Sequence, residues 1–114
     1  MREDGKIDYV ELPGAGRLAE AKGFYAAAFG WSFVDYGPEY AAFEGAGLDG
    51  GVNDSGDGLA APLVILYARD LEAMQARVRD SGGEITRPIF SFPGGRRFHF
   101  RDPAGNELAV WSEG

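Results

Sequence analysis

The chain has 114 residues, 45% hydrophobic and 25% charged, with a formal net charge of -7 at pH 7 and no cysteine. This length supports one core, because two would each be too small to hold without staples. The acid excess disfavours phosphate backbones, so no nucleic-acid partner is expected, and the lack of cysteine excludes a disulfide framework and thiolate chemistry. The stretch MREDGK has no apolar h-region, and no apolar run reaches the ~18 residues a bilayer span requires, so the expectation is a cytoplasmic protein without a membrane partner.

Lys6 to Leu12 alternates with a period of two and predicts a strand, ended by Pro13 and Gly14. From Arg17 the apolar positions Leu18, Ala21, Tyr25 and Ala28 fall three or four apart, predicting an amphipathic helix to about Phe29 with Gly30 as its C-terminal cap. Trp31 to Tyr36, Tyr40 to Glu44 and Leu48 to Asn53 read as short strands joined by tight turns. Asp54 to Ala61 has no period and reads as a linker; Asp49, Asn53, Asp54 and Asp57 miss the spacing of a calcium loop.

The same order then returns. Pro62 to Ala68 has the length of a buried strand, and Asp70 stands as N-cap before the helical face of Leu71, Met74 and Val78, closed by Gly82 and Gly83. Glu84 to Phe90, Arg96 to Arg101 and Glu107 to Trp111 supply three more strands. The expectation is one domain over 1–114 containing two βαβββ modules, about 5–54 and about 60–113, each with a sheet face it cannot bury alone. Gly14, Gly16 and Ala19 match a dinucleotide fingerprint with Asp35 further on, but the short turns that follow leave no room for parallel crossovers.

With this element order, the segments FYAAAFGW (Phe24 to Trp31) and DPAGNELAVW (Asp102 to Trp111) resemble the vicinal oxygen chelate superfamily. Its members include glyoxalase I, extradiol dioxygenases, epimerases, fosfomycin-modifying enzymes and drug-sequestering resistance proteins of the bleomycin type. The resemblance implies an α+β glyoxalase/bleomycin-resistance fold, with curled mixed sheets around a cavity and helices outside. In the metalloenzymes four inward residues hold a divalent ion, and those positions fall here on Tyr9, Gly51, Leu63 or Val64, and Ala109. Glycine and aliphatic side chains supply no lone pair, and tyrosine is a poor ligand for such ions, so no metal and no other cofactor is expected.

Alternation directs Tyr9, Glu11, Glu107, Ala109 and Trp111 inward. Such a lining suits a small, partly apolar organic molecule held by stacking and by carboxylates. Glu11, flanked by Tyr9, Val10 and Leu12, demands a partner, either a ligand or an internal ion pair with Arg97 or Arg101. His99, the sole histidine, shares a strand face with Arg97 and Arg101 and is the second candidate general acid or base. Arg96 and Arg97, after Pro93, Gly94 and Gly95, can meet an anionic group or form a solvated hairpin end, and Trp31 and Trp111 can wall the cavity, cover a homodimer interface or pack the core. The leading expectation is a metal-independent, homodimeric small-molecule-binding protein. The alternatives are an enzyme of lyase, isomerase or dioxygenase class using Glu11 or His99, and a regulatory module without a small ligand.

Overall fold

In the computed structural model, which describes residues 2–56 and 60–114, the chain order is β1 (Ile7–Pro13), α1 (Leu18–Phe29), β2 (Ser32–Asp35), β3 (Tyr40–Glu44), β4 (Asp49–Asn53), β5 (Leu63–Tyr67), α2 (Leu71–Asp80), β6 (Glu84–Phe92), β7 (Gly95–Arg101) and β8 (Glu107–Ser112). Asp57, weighed above for a calcium loop, lies outside the described residues. The fold is α+β, and each half runs β-α-β-β-β with mixed pairing. β1 is parallel to β4, with β4–β3 and β3–β2 antiparallel; β5 is parallel to β8, with β8–β7 and β7–β6 antiparallel. Two compact units result, one comprising Tyr9–Leu63 and the other comprising the N-terminal residues through Asp8 together with Val64–Gly114.

Backbone hydrogen bonds explain why residues before Tyr9 belong with the second half. Gly5 donates to the Tyr67 carbonyl at 2.8 Å, and Tyr67 donates to Lys6 at 3.1 Å. Asp4 accepts from the Arg69 amide at 2.7 Å. From Tyr9 to Pro13 the strand instead follows β4, in register from Tyr9–Asp49 to Pro13–Asn53. Pro13 therefore extends the strand that the sequence ended before it; in this parallel pairing Gly14 takes over as donor, to Asn53 at 2.8 Å.

In the unit Tyr9–Leu63, α1 buries none of its residues fully, and its expected face is only half covered at Leu18, Ala21 and Tyr25. Its anchor is aromatic: Tyr25 stacks on Trp31 with centroids 4.6 Å apart, and Trp31 lies 4.8 Å from buried Phe43. The Phe43 ring passes over Gly50, where a Cβ would come within 2.3 Å of it. The turn before α1 is closed by Asp54, whose carboxylate accepts from the Gly16 amide at 2.6 Å. β2, after α1, pairs antiparallel with β3, whereas a dinucleotide-binding unit would make it parallel to β1.

The other unit has the denser core. Ala68, Leu71, Phe98 and Val110 are buried together, with Leu66, Met74, Val78, Ile85, Ile89 and Phe100 packed around them. α2 supplies Leu71, Met74 and Val78 from one face, and its first turn is fixed by Asp70, which accepts from the Ala73 amide at 3.0 Å. Replacing Asp70 by Ala removes that acceptor, and urea denaturation should show a loss of about 1 kcal/mol. An unchanged midpoint would contradict this account of the helix start.

Candidate functional site

Within Tyr9–Leu63, β1 and β4 share a face that carries Tyr9, Glu11, Gly51 and Asn53. Glu11 is 4% exposed and accepts hydrogen bonds from the Tyr40 hydroxyl and from Asn53 Nδ2, both at 3.3 Å. The Tyr40 hydroxyl also hydrogen-bonds the Tyr9 hydroxyl. A Cβ on Gly51 would sit 2.5 Å from the Tyr40 oxygen, so glycine at this position is what lets the Tyr40 ring cross the strand. Burial raises the pKa of both phenols, and the neighbouring Glu11 carboxylate adds to it, so both stay neutral far into the alkaline range. Chemically this is a buried chain of two neutral phenols, a carboxylate and an amide.

Trp31 is not part of that group. It occupies the Phe43 side of the sheet, against Tyr25, whereas Tyr9 and Glu11 occupy the Gly51 side.

In the other unit, antiparallel pairing sets His99 opposite Ala109 and Arg97 opposite Trp111. Two irregularities in β6, between Ile85 and Arg87 and between Arg87 and Phe90, bring Arg87 opposite His99 and Phe90 opposite Arg97. Each inserts one extra residue, which lets Ile85 and Ile89 join the core while Arg87, Phe90 and Phe92 approach the Arg97–His99 face. The Phe90 centroid is 5.7 Å from the imidazole, and the Arg97 guanidinium is 5.5 Å from the Phe90 and Phe92 centroids. Arg87 stacks on Phe90 at 3.8 Å, and Phe92 lies 6.4 Å from Trp111.

His99 is 7% exposed. Its Nδ1 faces Glu107 Oε2 at 3.4 Å, while its Nε2 is buried and has no hydrogen-bond partner among the described residues. Burial, with the Arg97 charge beside it, holds its pKa below the ordinary value despite Glu107, so the imidazole is neutral at pH 7. Glu107 stands at the exposed end of β8 on the face it shares with Ala109 and His99, as alternation directs, and it also accepts from Thr86 Oγ1 at 3.3 Å. Trp111 donates its indole N–H to Asp8 at 2.9 Å, and Arg2 binds both Asp8 oxygens at 2.8 Å with its guanidinium 4.9 Å from the Trp111 ring. Arg101 lies 3.5 Å from Glu84, and Arg96 is paired with Glu72 at 2.5 Å.

The family model for the Glyoxalase/Bleomycin resistance protein/Dioxygenase superfamily matches residues 6–110. The chain belongs to this superfamily. No curated protein matches the sequence significantly. Among solved structures, the chain is similar to a Legionella pneumophila protein described as an NAD-dependent benzaldehyde dehydrogenase, with 16% identity over 93% of this chain and 98% of that one, at a TM-score of 0.76. Methylmalonyl-CoA epimerase from Mycobacterium tuberculosis gives 14% identity over 100% of this chain and 91% of that one, at a TM-score of 0.73. The Mn(II)-bound glyoxalase from Novosphingobium aromaticivorans gives 21% over 99%, at 0.68, and this chain spans 40% of it. At these identities the likeness is one of fold, and the superfamily hosts several chemistries on that fold.

The four positions to which the resemblance assigns metal ligands do not offer a donor set. Tyr9 is a neutral phenol tied to Tyr40, Gly51 is overlain by the Tyr40 ring, and Ala109 is a buried methyl opposite His99. In β5, Leu63, Ile65 and Tyr67 are buried and alternate with half-buried Val64 and Leu66, and both Leu63 and Val64 are aliphatic. Among the described residues, no three His, Asp or Glu side chains gather closely enough to hold a metal ion, and no helix is long and apolar enough to cross a membrane.

Tyr40, Asn53, Arg87, Phe90 and Phe92 do not stand out as site residues in the sequence. Gly51 was the available signal for Tyr40, since a glycine inside a strand often marks close approach by another group. Pro88 was the signal for the irregular β6, because proline within a strand marks an edge or a bulge.

The depressed pKa of His99 has a consequence for stability. The unfolded chain, with an ordinary imidazole, binds more protons than the folded one below about pH 6.5, so stability falls as pH drops through that range. Denaturant titrations between pH 7.5 and 5 should show a shallower pH dependence for His99→Gln than for wild type. Equal slopes would contradict the burial of a neutral imidazole.

Proposed function

We propose that this chain is a metal-independent, homodimeric member of the superfamily that binds a small organic molecule against the β6–β7–β8 face. The observation that carries the reading is the buried His99 Nε2 beside Phe90, on a strand face that also carries Arg97 with Phe92 and Trp111 next to it. A buried polar atom without a partner costs about 1–3 kcal/mol and calls for an explanation, and a ligand atom that hydrogen-bonds it supplies one. The aromatic rings give such a ligand stacking surface.

The donor chemistry at Tyr9, Gly51, Leu63 or Val64, and Ala109 supports the absence of a metal-dependent step. Phe24 and Phe29, exposed side by side on α1 with centroids 6.1 Å apart, support burial against a second copy of the chain. A second reading, an enzyme with His99 as general base, is favoured by Glu107 at Nδ1, since an oriented neutral imidazole is the arrangement such a base requires.

Mass-spectrometric metal analysis of the purified protein should find far less than one metal per chain, and titration with Zn, Ni, Mn or Fe(II) should leave the melting temperature unchanged. A panel of aromatic fragments, followed by backbone amide NMR, should shift the signals of Phe90, Phe92, His99 and Trp111, and light scattering should give twice the chain mass. Near-stoichiometric metal, or strong stabilisation by one ion, would overturn the metal-independent reading.

A further inference from the structure

We infer that the molecule bound at this face is planar and donates a hydrogen bond from an O–H or ring N–H to Nε2 of His99, an inference that rests on the binding reading above. The polarity follows from Glu107. An ionised carboxylate can only accept, so at 3.4 Å it selects the tautomer with the proton on Nδ1 and leaves a lone pair on Nε2. The buried, unpartnered nitrogen is therefore an acceptor, and its complement is a donor.

The groups around the imidazole narrow the donor. Arg97 on β7 and Arg87 on β6 face it with positive charge, and Glu107 on β8 faces it with negative charge on the Nδ1 side. An ammonium donor would meet two guanidinium groups, so the donor is uncharged. The Phe90 ring, 5.7 Å from the imidazole, and the Phe92 ring beside the neighbouring Arg97 give that face flat apolar surface, which fits a conjugated plane. Phenols, enols and lactam or azole N–H groups meet these conditions. Carbonyls, ethers and methylated analogues, which only accept, do not. Arg87 is exposed and stacked on Phe90.

Three matched pairs of probes test this: phenol and anisole, 2-naphthol and 2-methoxynaphthalene, 2-pyridone and N-methyl-2-pyridone. Each is titrated into wild-type protein at pH 7.5 with amide NMR as readout. The donor of each pair should bind about 10-fold more tightly than its methylated partner, the cost of leaving a buried acceptor unpaired. The preference should fall at pH 5 and vanish in His99→Phe, while the wild-type comparison stands without the variant should that variant fail to fold. Equal affinity within the pairs would overturn the donor inference and leave the binding reading intact. No binding by any probe would overturn both.

Discussion

β7 must satisfy two environments at once, and the unit around α2 depends on it. Phe98 is fully buried and Phe100 packs beside it, so the strand is held with that face against Leu71 and Val110. Successive side chains point to opposite faces, and a one-residue slip would put Arg97 and His99 into the core. The core therefore fixes His99 on the other face without any contact designed for histidine. Pairing with β8 then places Ala109 beside it and Glu107 at its Nδ1, and the irregularities in β6 bring Phe90 and Arg87 over it. Hydrophobic burial on one side of the strand positions a polar group on the other.

The unit Tyr9–Leu63 answers the same architectural problem differently. Its sheet also carries a buried carboxylate, Glu11, but here the polar group is enclosed by hydroxyl and amide donors. Gly51 makes that possible by yielding its side-chain space to Tyr40. The donor-poor character of the expected metal positions is thus built into the packing. A ligating side chain at Gly51 could not coexist with the present Tyr40 ring, and the phenol pair, raised in pKa by burial, does not present the anionic oxygens a divalent ion requires.

Much of the fold was legible because its punctuation is local. Gly30 adopts a left-handed φ of 77° at the end of α1, Asp70 caps α2, and Asp102 accepts from the Ala104 and Asn106 amides to turn β7 into β8. Each of these is a residue type with its own physical reason to stand there. The alternation of β7 likewise separated Phe98 from His99 in the sequence itself. What the sequence could not give was cross-strand company. Trp31 reads equally as pocket wall, dimer surface or core packing, and it is the register of Phe43 with Gly50 that draws it to the α1 side. Glu107 stands on the His99 face as the period directs, but its contacts with Thr86 and His99 come from two other strands. Phe90 reaches the imidazole only through irregular pairing, which a strict period of two does not encode.

The central claim is that His99 is a buried neutral acceptor. Its most direct test is the protonation pattern of the two ring nitrogens in the ligand-free protein at pH 7, measured by long-range proton–nitrogen NMR of a sample labelled at histidine. The account predicts one neutral tautomer, with the proton on Nδ1 and Nε2 bare. A doubly protonated ring, or a proton on Nε2, would contradict it.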